Sequence, residues 1–338
     1  MIDGHAVLHR AYHALPPTLT NKRGEATNAV YGFSTMLLRV LSDLKPDFLA
    51  VAFDVPAPTF RQQAYTAYQG RRPEMESSLK DQVGLTHEML SALQVPFFEV
   101  AGFEADDCIG TLAKQAVGNQ ENGGNRGNMG VEVFIVTGDR DMLQLVSDKV
   151  KVYVPVKGLS EAKTYDVQMV ESEFGVTPSQ WVDVKALKGD ASDNYPGVSG
   201  IGPKTAGELI ARFGSLEELY GRLGELGKSG KSGEMTAKKL ASGAEAAGLG
   251  KKLAAIVTDV PIHLDLEAAR VSRVDWQGGV RYMRESLGFK SIPERIEKSY
   301  ISYSSNESNV SDISDESHKS DTGKKRTKDG PDEQMKLI

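Results

Sequence analysis

The sequence predicts an α/β fold: a mainly parallel sheet flanked by helices, followed by a helical module. Two observations carry this. Short, nearly all-apolar runs alternate with amphipathic helical stretches through the first half, as βαβ units require. Beyond about Gly175 the strand-like runs fade and helical patterns dominate.

Taken in order, Met1-Ile2 leads into Asp3, and Ala29 to Leu44 reads as an amphipathic helix. Phe48 to Phe53 (FLAVAF), after Lys45-Pro46-Asp47, is short and apolar throughout, as a strand buried on both faces must be. Ser77 to Leu93 and Ala105 to Val117 are further helices; Val131 to Val136 is a second buried strand and Val150 to Val154 a weaker third. Gly118 to Gly130 is a Gly/Asn-rich loop. Ser299 to Ile338 has too few apolar residues to offset its ordering entropy and is expected to be disordered. The expected division is 1–175 as the α/β core, with an arch segment at about 56–96, then 176–298 as the helical module and 299–338 as the tail.

The chain has 338 residues and 40% hydrophobic content, enough for a sizeable core, and a formal charge of −6. A negative total does not exclude a nucleic-acid partner, because a carboxylate-rich site makes a chain acidic while basic surfaces elsewhere meet phosphate. The single cysteine, Cys108, excludes an internal disulfide and fits a cytoplasmic location. No apolar stretch is long enough to span a membrane, and no signal peptide opens the chain.

Carboxylates recur where strands should end. Asp3 follows Met1-Ile2, Asp54 follows Phe53, and Asp139 and Asp141 follow Val136 closely; Glu104, Asp106 and Asp107 open a helix, and Asp190 and Asp193 share a loop. In an open parallel sheet the crevice beyond the strand C-termini binds ligands, so these acids should converge there. So many like charges need cations, and an all-oxygen set selects hard ions, Mg²⁺ or Mn²⁺. Two such ions roughly 4 Å apart can clamp the attacking and leaving oxygens of a phosphodiester displacement. Any one acid is as readily a helix cap; the whole set at strand ends is not.

Seven motifs occur in order: Asp3-Gly-His with Arg10-Ala-Tyr, Phe53-Asp54, Phe60-Arg61, Glu104-Ala-Asp-Asp107, Thr137-Gly-Asp-Arg-Asp141, Leu187-Lys-Gly-Asp-Ala-Ser-Asp-Asn194 and Pro196-Gly-Val-Ser-Gly-Ile-Gly-Pro-Lys-Thr-Ala206. From Asp3 to about Glu297 the chain resembles the flap endonuclease family, in particular the 5′-3′ exonuclease domain of bacterial DNA polymerase I. The resemblance implies a PIN-like core and a structure-specific 5′ nuclease of flapped, nicked or branched DNA and RNA primers, serving replication and repair. It implies two or three divalent ions held by Asp3, Asp54, Glu104, Asp106, Asp107, Asp139, Asp141, Asp190 and Asp193, some through water. It also implies a helix-hairpin-helix that grips duplex DNA through Gly200, Gly202, Lys204 and Thr205, with K⁺ as a further ion there. Glycines allow close approach to a phosphate, and the following helix N-terminus offers free N–H groups.

Phe60 to Met75 interleaves Arg61, Arg71 and Arg72 with Tyr65 and Tyr68, a pattern suited to a single strand. Helical spacing would align Arg61, Tyr65, Tyr68 and Arg72 on one face. In the family this is the gateway over the active site; Arg61 and Arg72 are the expected catalytic cations, and Arg10, Tyr65, Tyr68 and Arg71 the expected DNA contacts.

Two departures from the family stand out. Gln69 replaces the lysine that usually follows the gateway tyrosine, removing a charge that would stabilise the transition state. Only Met1 and Ile2 precede Asp3, so a late start or a shortened central strand is expected, with the position of Asp3 in question. Gly227-Lys-Ser-Gly-Lys-Ser232 lacks the glycine that a phosphate-binding loop needs five positions earlier. The final Gln334-Met-Lys-Leu-Ile338 loosely resembles a sliding-clamp docking peptide. The chain is expected to act as a monomer. The competing expectations are a structure-specific DNA-binding protein with weakened catalysis and an RNA-directed nuclease of the PIN type; the arch and helix-hairpin-helix count against the second.

Overall fold

A computed structural model describes residues 1–118, 131–156 and 161–301. Six strands form one sheet: β1 (Ile2–Asp3), β2 (Val51–Ala52), β3 (Phe97–Phe98), β4 (Val133–Val136), β5 (Val150–Pro155) and β6 (Ala162–Tyr165). Their spatial order is β3-β2-β1-β4-β5-β6, with every pairing parallel except β5–β6. The order reverses between β1 and β4, the switch point where a crevice opens beyond the strand ends.

The short opening segment is therefore the centre of the sheet. Ile2 pairs with Val51 on one side and Val136 on the other, and Asp3 leaves at the C-terminal edge. The Phe48–Phe53 run splits by function. Val51–Ala52 pairs within the sheet, while the Leu49 N–H donates to the Ala269 carbonyl at 2.7 Å, so the returning chain covers the strand's start. The antiparallel edge β6 has no apolar run behind it, which is why the sequence pattern does not reveal it.

Five helices flank or approach the sheet from the first half: α1 (Gly4–Ala14), α2 (Asn28–Leu44), α3 (Phe60–Ala64), α4 (Ser77–Ala92) and α5 (Ala105–Gly118). On one face Phe33, Met36 and Leu37 of α2 and Met89 and Leu90 of α4 pack with Ile2, Val51 and Phe53. On the other, Cys108, Ile109 and Leu112 of α5 pack with Ile135 and Val152. That second core continues without a break into the helical part, through Trp181, Ile210, Leu219 and Leu240.

The helical part comprises α6 (Val167–Phe174), α7 (Trp181–Lys188), α8 (Pro203–Phe213), α9 (Leu216–Gly221), α10 (Leu223–Gly227), α11 (Lys231–Ser242), α12 (Ala244–Ala254), α13 (Trp276–Glu285) and α14 (Ser291–Ile296). Between α7 and α8 a two-stranded hairpin, β7 (Gly189–Asp190) and β8 (Tyr195–Pro196), carries the Asp190/Asp193 loop. The strands cross so closely that a Cβ on Gly197 would lie 2.3 Å from the Gly189 nitrogen. Residues 299–301, expected in the tail, instead form part of a helical turn, with Tyr300 stacked on Trp276 at 4.5 Å. The Gly/Asn-rich loop from 119 onward, the rest of the tail and Gln334–Ile338 lie outside the described residues. No helix among the described residues is long and apolar enough to cross a membrane.

Candidate active site

The C-terminal edge of the sheet opens into a cavity of about 1080 Å³, lined by Asp3, Asp54, Glu104, Asp106, Asp139, Asp141 and Asp193. Asp190 joins them through the hairpin: ligand oxygens of Asp141, Asp190 and Asp193 lie within 4.8 Å of one another. Eight of the nine expected acids thus converge.

Several are held by the caps that local sequence provides. Asp3 ends β1 and caps α1, accepting from the Ala6 N–H at 2.9 Å, while the Thr137 hydroxyl donates to its other oxygen at 2.7 Å. Asp54 accepts from the Ala105 N–H at the start of α5, at 2.8 Å, and its own N–H donates to His5 Nδ1 at 3.0 Å. Asp139 accepts from the Asp141 N–H at 2.8 Å, opening the short helical turn Arg140–Leu145. Such bonds fix each carboxylate while leaving lone pairs aimed into the cavity.

Crowding shows in the proton affinities. Burial first, and then the Asp54 and Asp139 charges, push the Asp3 carboxyl up to about 7. Burial likewise raises Glu104 to about 7, with Asp54, Asp107 and Asp193 adding to it against the pull of Arg61. Burial and Asp139 raise Asp141 to about 6, and burial with Asp139, Asp3, Asp54 and Glu104 carries Asp106 well above the carboxylate range. Carboxylates that resist ionising together are a donor set short of positive charge, and hard divalent ions fit it. The Tyr195 hydroxyl is buried without a hydrogen-bond partner among the described residues, and it senses Asp141, Asp190 and Asp193.

One resident cation is already present, and the sequence reading missed it. Lys185 of α7, only 4% exposed, lies 2.5 Å from Asp141 and closer still to Asp190. Burial pushes Asp190 upward, but bonds from Lys185 and Ser192 outweigh it, and its carboxyl falls well below the ordinary range. A lysine on the buried face of an amphipathic helix, five residues before an acidic loop, was the available signal.

The ninth acid is elsewhere engaged. Asp107 is wholly buried and receives both arms of Arg61, at 2.7 and 2.8 Å. It also accepts from the Val257 N–H at 2.9 Å. Arg61 donates in addition to the Leu253 and Ala255 carbonyls, each at 2.8 Å. The expected metal role for Asp107 is therefore corrected, since it does not line the cavity and its carboxylate is taken up by Arg61 and backbone N–H groups; Arg61 clasps the end of α12 to the core and also lines the cavity. Arg61 Nη1 reaches one cavity acid, Glu104, at 3.6 Å.

The gateway face is corrected too. Helix α3 stops at Ala64, so Arg61, Tyr65, Tyr68 and Arg72 do not share a helical stripe. Tyr68 is buried in a cluster with Tyr195 and Leu253, against which Tyr65 also packs, and its hydroxyl donates to Glu104 at 3.2 Å. It is also one of the residues that line the cavity. Gln69 adopts the left-handed conformation, φ 55°, and its N–H donates to the Asp193 carbonyl at 2.8 Å. Arg72 donates to the Asp193 carboxylate at 2.7 Å and lines the cavity. Arg71 is exposed beside it. Arg10 lines the cavity and donates to the Val156 carbonyl at 2.8 Å.

Gly200, Gly202, Lys204 and Thr205 lie outside the cavity, at the start of α8. Gly200 needs its positive φ of 76°, Gly202 caps the helix, and Lys204 is largely exposed. Lys239 of α11 donates to the Gly200 carbonyl at 3.3 Å.

Known proteins resemble the chain in sequence and in fold. Residues 1–175 match the model of the 5′-3′ exonuclease N-terminal resolvase-like domain, and 176–277 that of the 5′-3′ exonuclease C-terminal SAM fold. DNA polymerase I of Bacillus caldotenax is 41% identical over 297 residues, covering 88% of this chain and 32% of that protein. DNA polymerase I of Bacillus subtilis is 38% identical, again over 88% and 32%. The chain thus spans about a third of the length of these curated relatives. In fold it resembles the phage T5 5′-exonuclease solved with zinc (TM-score 0.57, 19% identity, 89% and 97% of the two chains). It also resembles the catalytic core of Rad2 solved with a DNA substrate (TM-score 0.54, 18% identity, 88% and 90%). With one family model covering more than half its length and a second following directly, the chain belongs to the 5′-3′ exonuclease family.

Proposed function

We propose that the chain is a divalent-metal-dependent 5′ nuclease that cuts flapped, nicked or branched DNA and RNA primers. The observation that carries the reading is the convergence of eight carboxylates at the sheet's switch point, several held above the ordinary carboxylate range by burial and by one another's charge. Asp3, Asp54, Glu104, Asp106 and Asp139 would hold ions at the sheet edge, and Asp141, Asp190 and Asp193 at the hairpin. Magnesium or manganese bound there supplies Lewis acidity and a water of lowered pKa. The chain's own residues do the rest. Thr137 and the Ala6 N–H fix Asp3, Arg72 offers charge to a phosphate at the cavity mouth, and Lys185 neutralises the Asp141–Asp190 pair. The N-terminus of α8, with Lys204 beside it, suits the backbone of a duplex held away from the cavity.

A labelled 5′-flap DNA incubated with Mg²⁺ tests the reading, with EDTA, matched RNA and an Asp139→Asn variant as controls. Cutting near the flap junction that EDTA and the variant abolish is expected. Binding without cutting would instead favour a structure-specific DNA-binding protein, the reading that neutral Gln69 beside Asp193 keeps open; preference for RNA would favour a PIN-type ribonuclease.

A further inference from the structure

One pair of side chains in the cavity wall takes no part in the site described above. His9 and His13 stand one helical turn apart on α1, so both rings project from the same face. Both are exposed and both line the cavity that holds the acids. Their Nε2 atoms lie 3.3 Å apart, with ring planes at 66°. The two nitrogens share a hydrogen bond, so each ring presents Nε2 to the other.

That separation has a chemical meaning. Two nitrogens each about 2.05 Å from a shared zinc-like ion and 3.3 Å from each other subtend an angle of about 107° there, close to tetrahedral. We propose that His9 and His13 form a two-imidazole site for a borderline divalent transition ion of the Zn²⁺, Ni²⁺ or Cu²⁺ class. It is separate in ligand chemistry from the carboxylates: imidazole selects these ions over magnesium, whereas the all-oxygen set favours hard ions. Solvent fills the remaining coordination positions. Of the charged groups that act on His9, Arg72 opposes occupancy; Glu76, which also lines the cavity, already accepts from Tyr12 at 2.7 Å. Because His9 and His13 share the cavity with the acids, an occupied site narrows the route to them; this last consequence rests on the nuclease reading.

The test is a zinc titration by calorimetry with magnesium in large excess, paired with electron paramagnetic resonance of the copper-loaded protein. One zinc per chain and a copper signal split by two imidazole nitrogens are expected. His9→Ala and His13→Ala should each weaken zinc binding at least tenfold, while Asp193→Asn leaves it unchanged. No zinc binding under magnesium excess, equal binding by the histidine variants, or loss only in Asp193→Asn would overturn the proposal. Both histidines are exposed, and His9→Gln supplies a second variant that keeps a polar side chain on the helix. In flap cutting, zinc inhibition should be relieved in His9→Ala. If the unaltered chain cuts nothing, the nuclease reading fails and the titration still decides the site.

Discussion

Asp106 and Asp107 are adjacent in the chain and should respond to amidation in opposite ways. Asp107→Asn removes the charge from a fully buried carboxylate that binds both arms of Arg61, leaving a guanidinium at 2% exposure without its counter-charge. Breaking one side of a buried ion pair costs about 3–5 kcal/mol, against a total stability of about 5–15 kcal/mol for a typical domain. Asp106→Asn replaces a carboxyl that burial, and then the Asp139, Asp3, Asp54 and Glu104 charges, hold against ionising, so the metal-free protein should gain stability while divalent affinity falls. Urea unfolding in EDTA measures the first effect and calorimetric titration with Mn²⁺ the second. Adding Arg61→Met to Asp107→Asn should cost roughly 2–3 kcal/mol less than the two single losses summed, since the orphaned charge is gone. Stability unchanged within about 0.5 kcal/mol in Asp107→Asn, together with lost metal binding, would refute the clasp and restore Asp107 to the ligand set.

Three further outcomes follow from the same geometry. Asp3 and Glu104 hold protons up to about pH 7 and Asp141 to about 6, whereas unfolded carboxylates release theirs near 4. The folded metal-free state therefore binds more protons between those limits, so its stability falls as pH rises from about 4 to 7. Magnesium should accordingly raise the melting temperature much more at pH 8 than at pH 5; equal shifts would contradict the crowding. Lys185→Met should leave Asp141 and Asp190 to each other, tightening divalent binding at that end roughly tenfold or more while slowing turnover by a factor on the order of 100. Unaltered manganese affinity would show that the lysine is a bystander. Gln69→Lys places a cation within reach of Asp193 and the cavity and should raise the cleavage rate several-fold; a variant no faster than its parent removes that role.

The sequence made the acids legible because two rules agreed on them. Asp3 and Asp139 are helix caps and also mouths of strands, so the modest reading and the functional one describe the same residues. What it hid was long-range. Nothing near Arg61 announces Asp107, 46 positions on, or the Leu253 carbonyl, 192 positions on. The gateway segment has no proline or glycine between Phe60 and Gln69, and its helical pattern runs on. The helix stops at Ala64 because Tyr68 is drawn into a pocket built by Tyr195 and Leu253 from the other end of the chain. Lys185 was hidden for a related reason, since a lysine usually reads as solvated surface.

The bend at residues 67–69 is stitched to the acidic hairpin three times: Gln69 donates to the Asp193 carbonyl through its N–H and to the Asp193 carboxylate through its side-chain amide, and the Asn194 amide holds the Ala67 carbonyl at 2.6 Å. A displacement of that bend would therefore pull on the same loop that presents Asp193. The position of the bend and that of the Asp193 carboxylate are thus set together, by bonds that neither segment could form alone.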